Sequence, residues 1–386
     1  MTVVTVPVRT EGRHHQRGVA SMLTILAPKA SVLPAIRPGL DPWRKNNECL
    51  SRRVQESMNT MRMKDLRILV GLALGVTVLC SEVPAAAQVS ATATPPPKDG
   101  FLGAIVKSLT GDVYAEPQRW RELSLSGLFT EGWDEAWVSP PAGGGGAPRQ
   151  GWLNAFDGVF YRLGIATYGY AHNFVDNGNQ NSGLLQFYLP FNRRFEFRVD
   201  IPAAVSNRGA TGKDYETNFG DFTLVPRVIL SETQNLTQSF NVAFRMPTGD
   251  TSNLNGVSAI TPTYEFWTNW WKGLVLRGGA GFFVPFGHQS IDVVGARASF
   301  TANFAFGYYF TPHDLTPFGD LVFYLSTNLV QTIDNHDINS TNTVSLTPGF
   351  RTHLGQNWYF LGAVEVPVAQ VKPFDYQVLG AIMKVF

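Results

Sequence analysis

The chain has 386 residues, of which 16% are charged and 12% aromatic, and its formal net charge is +1. A nearly neutral chain lacks the basic surface that recruits nucleic acid, so nucleic-acid binding is excluded as a function. Few charges, many aromatic residues, 37 glycines and 24 prolines are typical of a protein built from strands and turns. The cysteines, Cys49 and Cys80, precede the predicted strands, so no disulfide framework is expected among them.

Residues 61–87 have the pattern of a secretory signal peptide. A basic start at Arg62 and Lys64 precedes an apolar stretch, and Ala85-Ala86-Ala87 offers a cleavage site. The apolar stretch is shorter than the ~20 residues that a membrane-spanning helix needs. The sequence therefore predicts export, with lipidation at Cys80 as an alternative that Leu79 disfavours, because a small residue is usual at that position.

Residues 1–60 precede this signal and show no hydrophobic periodicity. Because an export signal should open the chain, we expect a non-native upstream extension, with translation starting at Met61 or Met63; a disordered segment is the alternative. Residues 88–150 are rich in proline and glycine, with Pro95-Pro96-Pro97 and four glycines at 143–146. This composition predicts an irregular periplasmic arm or a plug.

From residue 151 onward, apolar and polar residues alternate, with turn residues at regular intervals. The alternation predicts twelve strands, at 159–173, 183–191, 195–205, 219–231, 237–248, 261–271, 274–286, 297–310, 317–332, 342–354, 358–369 and 375–386. Short and long connectors alternate: 191–195 and 354–358 are short, whereas 206–218 and 248–260 are long and polar. This is typical of a transmembrane antiparallel up-and-down β-barrel of the outer membrane, with short turns in the periplasm.

Aromatic residues support the barrel over a soluble β-sandwich, which would show the same alternation. They gather at the short-turn ends of successive strands, for example Trp270, Trp271 and Trp358. Aromatic rings prefer the headgroup level of a bilayer. The all-β barrel is accordingly assigned to residues 151–386.

Charged residues on the polar face of the strands are expected to line the lumen. Arginines and carboxylates are balanced in this set, which predicts a cross-braced lumen rather than an anion-selective pore. The predicted pore-lining residues are Arg162, Glu196, Arg198, Asp200, Asp221, Arg227, Arg245, Glu265, Arg277, Asp320, Arg351 and Glu365.

An outer-membrane lipid hydrolase is the enzymatic alternative, since it would need a histidine and a serine near the outer rim. His172 and Ser182 flank one long loop, and His336 lies near Ser340 in another, but neither pair forms a compact motif. Catalytic residues are therefore not expected. No cofactor or metal site is expected either, because the acidic loops lack the spacing of an EF-hand.

Three segments carry a resemblance to a known family: GDFTLVPRVIL at 220–230, SFNVAFRMPTGD at 239–250, and TPGFRTHLGQNWYFLGAVEVPV at 347–368. They resemble the barrels of the meta-pathway phenol-degradation family, whose members are often named "transporter". The resemblance covers residues 155–386. It implies an outer-membrane barrel and the uptake of hydrophobic or aromatic compounds.

The sequence thus predicts a channel or transporter for small, hydrophobic or aromatic molecules in the outer membrane of a Gram-negative-type bacterium. A structural or adhesive barrel with partner-binding loops is a further alternative to the hydrolase. The expected partners are the lipid bilayer, a small-molecule solute, and the barrel-assembly machinery. That machinery would read the final strand, DYQVLGAIMKVF, with its terminal Phe386.

Overall fold

The computed structural model describes residues 98–115, 117–174, 178–207, 216–249, 255–335 and 342–386. The predicted upstream extension and signal peptide, both cysteines, and the loop that holds His336 and Ser340 lie outside the described residues. Helix α1 (Phe101–Thr110) and a 3-10 turn (Pro117–Arg119) precede the strands. A second helix, α2 (His288–Val294), lies in a long connector. No helix among the described residues is long and apolar enough to cross a membrane.

Thirteen strand segments form one antiparallel sheet in the described part of the chain. They are β1 Leu163–His172, β2 Gln180–Pro190, β3 Phe195–Asn207, β4 Glu216–Asn218, β5 Thr223–Glu232, β6 Leu236–Arg245, β7 Ala259–Trp271, β8 Leu274–Pro285, β9 Ala296–Tyr309, β10 Gly319–Asn335, β11 Thr343–Gly355, β12 Trp358–Pro367 and β13 Tyr376–Val385. Both β4 and β5 pair with β3, so they are two parts of one crossing. The predicted twelve crossings are therefore confirmed.

The sheet closes on itself where β1 meets β13. Leu163 pairs with Val385 at one end of this seam, and His172 pairs with Tyr376 at the other. Since β1 also pairs with β2, neither the first nor the last strand is left as an unpaired edge. The last strand is thus fixed along its whole length by β1 and β12.

The two faces of the strands are inverted relative to a soluble protein. Large apolar side chains stand exposed on the outside, for example Phe187, Phe306 and Phe323. Arg227 and Arg277, on the opposite face, are fully buried. An apolar exterior around a charged interior requires lipid outside, so the closed barrel is a transmembrane one.

One strand boundary differs from the prediction in a way that matters for the interior. The first strand begins at Leu163 rather than at residue 159, because residues 159–162 still belong to an irregular segment. This segment, residues 143–162, contacts inward-facing side chains of many strands. It is called the lumenal segment below.

Candidate functional site: the lumenal segment and the cavity beside it

The lumenal segment begins at the short turns of the barrel. The Gly144 amide donates to Asn235 Oδ1 over 2.7 Å, and the Gly145 amide donates to Asn269 Oδ1 over 2.9 Å. A Cβ atom on Gly145 would lie 2.0 Å from the carbonyl oxygen of Lys272. The chain can therefore approach the turns this closely only because glycine has no side chain.

Arg149 carries the segment into the barrel. Its guanidinium donates to Thr237 Oγ1 over 2.7 Å and to the carbonyls of Thr233 and Gln234 over 2.9 and 3.0 Å. It also lies 3.4 Å from the carboxylate of Glu232 and over the ring of Trp267. These contacts satisfy a buried cation at the point of entry, as a charge inside a protein requires.

Trp152 packs inside the barrel against the wall of β9 and β10. Its ring stacks on Tyr324 with centroids 4.9 Å apart and planes 8° apart. The Arg277 guanidinium lies over the Trp152 ring, 4.3 Å from its centroid. The Leu153 amide donates to the hydroxyl of Tyr324 over 3.1 Å. An aromatic stack of this kind fixes the segment by dispersion and cation–π attraction.

The segment reverses direction at Asn154, whose φ is 51°. Its side-chain amide donates to Glu365 Oε2 over 2.6 Å. Its carbonyl accepts from Asn303 Nδ2 over 2.9 Å and from Ser326 Oγ over 2.6 Å. Asparagine tolerates a left-handed backbone and supplies both a donor and an acceptor. The turn is thus held by neutral donors and by one carboxylate.

Asp157 holds the returning part of the segment to the opposite wall. Its carboxylate accepts from the Tyr161 hydroxyl over 2.7 Å and lies 3.4 Å from Arg277. Arg227 donates to the Asp157 carbonyl. The Tyr161 amide then donates to Glu196 Oε2 over 2.7 Å, immediately before β1 begins.

The wall that receives Asp157 contains a buried charge cluster. Arg227 forms ion pairs with Glu196 on β3 and with Glu265 on β7, and all three side chains are almost completely buried. A second pair joins Arg198 to Asp200 over 2.9 Å. Each of these ions has a partner of opposite charge, which a charged group needs when it is buried away from water.

A cavity of about 150 Å³ lies in the lumen beside the lumenal segment, toward the long-loop end of the barrel. Residues 151–157 form part of its boundary. The wall combines apolar and polar side chains: Ile165, Leu184, Leu361 and Leu379, and Gln186, Arg198, Glu265, Asn328 and Glu365. The cavity can therefore contact an apolar body and also bind a polar group on it.

The sequence of this barrel matches a known family. The model of the family described as "Putative MetA-pathway of phenol degradation" matches residues 154–366, more than half of the chain. The chain belongs to this family. The resemblance predicted from the sequence is therefore confirmed, and the family match includes the turn of the lumenal segment at Asn154.

Solved structures with similar folds include an outer membrane channel from Pseudomonas putida F1, at 15% identity and a TM-score of 0.43, covering 58% of this chain and 94% of that chain. The KdgM porin has 8% identity and a TM-score of 0.38, covering 57% and 99%. The CymD monoaromatic hydrocarbon channel has 9% identity and a TM-score of 0.33, covering 59% and 89%. Among curated protein sequences, none matches this chain.

The predicted pore-lining residues occupy several different positions in the barrel. Arg198, Glu265 and Glu365 border the cavity. The others on the inner face contact the lumenal segment, pair with neighbours or stack on tyrosines: Glu196, Asp200, Arg227, Arg277 and Arg351.

Asp221 and Arg245 fasten a loop at the long-loop end. Asp221 lies between β4 and β5, and its carboxylate accepts from the amides of Gly249, Gly256 and Val257 over 2.8–2.9 Å. Arg245 Nε donates to the same carboxylate over 2.7 Å. The prediction that these two line the open pore is corrected accordingly, because their charges are used to hold the loop.

Arg162 differs from the prediction, and Asp320 lies at a short turn. Arg162 precedes β1 in register with the outward-facing side chains, and it donates to the carbonyls of Phe386, Ser108 and Gly111 at the rim. Asp320 accepts from His313 Nδ1 over 2.7 Å in a short turn. Both residues lie at the short-turn end. Asp320 borders a cavity there, so only Arg162 departs from the predicted inward position.

The sequence missed the side chains that touch both walls: Trp152, Asn154, Asp157 and Tyr161. They occur in GWLNAFDGVFYR, residues 151–162, which lacks a strict alternation. The sequence did contain one signal: aromatic and polar residues are dense in this segment, just before the first strand, but they do not alternate with a period of two. It indicates side chains that meet partners in several directions.

The histidine and serine considered for catalysis are engaged separately. His172 Nδ1 lies 3.2 Å from Asp375 Oδ2, and its ring stacks on Tyr376. Ser182 Oγ donates to the Gly169 carbonyl over 3.5 Å. In the described ranges, no group of three or more His, Cys, Asp or Glu side chains could hold a metal ion.

Proposed function

We propose that this protein is a channel or transporter of the outer membrane of a Gram-negative bacterium and takes up small, hydrophobic or aromatic molecules. A closed barrel with an apolar exterior is the architecture of outer-membrane proteins. The predicted signal peptide would deliver the chain, and β13, paired along β1, would be the strand read by the assembly machinery. On this proposal the short turns face the periplasm and the long loops face outside.

The lumenal cavity is the observation that carries the proposal. Its volume of about 150 Å³ is comparable to that of an apolar cavity known to hold benzene. Leucine side chains on its wall suit an aromatic ring, and Gln186, Asn328 and Glu365 suit a hydroxyl group on that ring. The phenol-degradation family to which the chain belongs supports the same class of solute.

The lumenal segment would act as a plug between this cavity and the periplasm. Residues 151–157 bound the cavity, and the segment bonds to side chains on both sides of the lumen. Passage of a solute would then require the plug to shift. Its neutral bonds at Asn154 are the ones that solvent replaces at least cost.

Uptake of a radiolabelled phenol by cells of a Gram-negative host that express the protein tests the proposal. Expressing cells should accumulate the label several-fold faster than cells carrying an empty vector, and arabinose uptake should change little. Equal phenol uptake by both cell types would overturn the proposed solute class.

The two alternative functions give different results in the same membranes. Fatty acid released from outer-membrane phospholipid by the purified protein would establish the lipid hydrolase. Binding of a partner by the long loops, without a change in the uptake of any solute, would establish the structural or adhesive barrel.

A further inference from the structure

Arg351 differs from the other inward-facing arginines of the barrel. Arg198, Arg227 and Arg277 each have a carboxylate partner within the lumen, and Arg245 is paired with Asp221 at the loop that they fasten. Arg351 is fully buried, and none of its three guanidinium nitrogens has a hydrogen-bond partner in the described part of the chain. No ion pair with a described carboxylate is formed there either.

Two tyrosines surround this guanidinium. It lies 5.3 Å from the ring centroid of Tyr309 and 5.1 Å from that of Tyr359. Aromatic faces stabilise the cation from above its plane, but they accept none of its N–H groups. The hydrogen-bonding capacity of Arg351 therefore remains available, and a buried donor without an acceptor costs about 1–3 kcal/mol or more if it is charged.

The position of Arg351 connects the plug to the periplasmic end. Tyr309 contacts Trp152 of the plug, with ring centroids 6.5 Å apart. Tyr309 also lines a second cavity, of about 480 Å³, together with Gln150, Asp320 and the short turn at 310–313. Gln150 Oε1 in this second cavity has no partner among the described residues. A solute that passes Trp152 would reach this region next.

We propose that Arg351 is an anion-binding subsite on the periplasmic side of the plug, with a small aromatic monocarboxylate as its ligand. The planar guanidinium can bind a carboxylate through two parallel hydrogen bonds, which supplies the missing acceptors. Tyr309, which lies beside Arg351 and borders the second cavity, provides aromatic surface for the ring of the ligand. The Asp320 carboxylate, which borders the second cavity, accepts from His313 Nδ1 over 2.7 Å. The inference rests on the proposed channel function and narrows its class of solute.

Calorimetric titration of the purified protein with benzoate at pH 7.5 tests the subsite without requiring flux. Arg351→Met should weaken benzoate binding at least tenfold, and Arg351→Lys should retain part of it. Arg297→Met is the matched control, since Arg297 is exposed on β9 and its loss should leave binding unchanged. Benzyltrimethylammonium should bind to none of these proteins. Equal benzoate affinity of the wild type and Arg351→Met, or no binding by the wild type, would overturn the subsite.

Reversal potentials in planar bilayers under a potassium benzoate gradient separate the subsite from the channel itself. The relative permeability to benzoate should fall several-fold in Arg351→Met and remain unchanged in Arg297→Met. If no variant conducts while benzoate binding still depends on Arg351, the channel function fails and the subsite stands. If all variants conduct with the same selectivity, Arg351 does not act on permeating anions. Heat-dependent mobility on gels verifies that each variant is folded.

Discussion

The lumenal segment, which we propose to act as a plug, touches two walls of the barrel that differ in chemistry. The wall from β3 to β8 presents buried ions to Asp157, namely Arg227 and Arg277, with Glu196 and Glu265 behind them. The wall from β9 to β12 presents mostly neutral groups to Asn154 and to its neighbour Leu153: Asn303, Ser326 and the Tyr324 hydroxyl, with Glu365 as the one carboxylate.

Contacts with the two walls therefore differ in how much free energy is needed to break them. Breaking one member of a buried ion cluster leaves an uncompensated charge, which costs about 3–5 kcal/mol. Breaking a neutral hydrogen bond that water can replace costs about 0.5–1.5 kcal/mol. The comparison predicts that the ionic wall anchors the plug and that the neutral wall is the side from which it is released.

Arg227→Met should have the largest effect. It removes the donor to the Asp157 carbonyl and leaves Glu196 and Glu265 buried without their partner. We expect the free energy of unfolding to fall by about 3–5 kcal/mol. The measurement is guanidinium-induced unfolding in detergent micelles, followed by tryptophan fluorescence. Arg297→Met is the control, and an equal loss in that variant would contradict a special role for the cluster.

Adding Glu196→Gln and Glu265→Gln to Arg227→Met sharpens the first prediction. The triple variant contains no unpaired buried charge at this position, so it should regain a large part of the lost stability. A triple variant that is less stable than Arg227→Met alone would show that the damage arises from lost packing.

Asp157→Asn should have the second-largest effect, acting mainly on the plug. Arg277 would lose its only carboxylate partner recorded among the described residues, while the shape of the side chain is preserved. We expect a loss of about 2–3 kcal/mol and a higher open probability in planar bilayers. A conductance identical to that of the wild type would show that Asp157 does not anchor the plug.

Ser326→Ala should cost less than Asp157→Asn. It removes a neutral hydrogen bond of the plug, because Ser326 Oγ donates to the Asn154 carbonyl over 2.6 Å. That carbonyl would still accept from Asn303 Nδ2 over 2.9 Å. We expect a loss of about 1 kcal/mol with more frequent brief openings in planar bilayers. If Ser326→Ala destabilises the protein more than Asp157→Asn does, the proposed division between the walls is wrong.

Asp99 lies away from both walls, so Asp99→Asn should have the smallest effect. Burial opposes ionisation of Asp99, but the Ala136 amide and the Arg119 guanidinium outweigh it, so the pKa of Asp99 is below its usual value. Its stabilising contribution is therefore present above its unfolded pKa and is lost as the pH falls through the lower folded pKa. The wild type should exceed Asp99→Asn by less than about 1 kcal/mol at pH 7, with a shrinking difference below about pH 4 and unchanged conductance. Altered conductance would show that this region is coupled to the plug.

Much of the barrel was predictable from the sequence because a strand repeats with a period of two residues. Phe240 and Phe244 on one face of β6 and Asn241 on the other already indicate which side meets lipid. The alternation of short turns and long loops predicts the topology, since each hairpin is a local structure. Strand boundaries erred where that period stops, as at residues 159–162, which belong to the plug.

The sequence by itself determined the twelve crossings, the outward apolar face and the inward charges, because these depend on local alternation and on the choice of solvent for each face. Only the tertiary structure decided which charges meet. Asp157 reaches Arg277 across 120 positions of the chain, whereas the Arg351 guanidinium lies over two tyrosine rings and has no hydrogen-bond partner in the described part of the chain. Contacts of this kind depend on closure of the barrel and on the path of the plug through it, and neither has a periodic signature in the sequence.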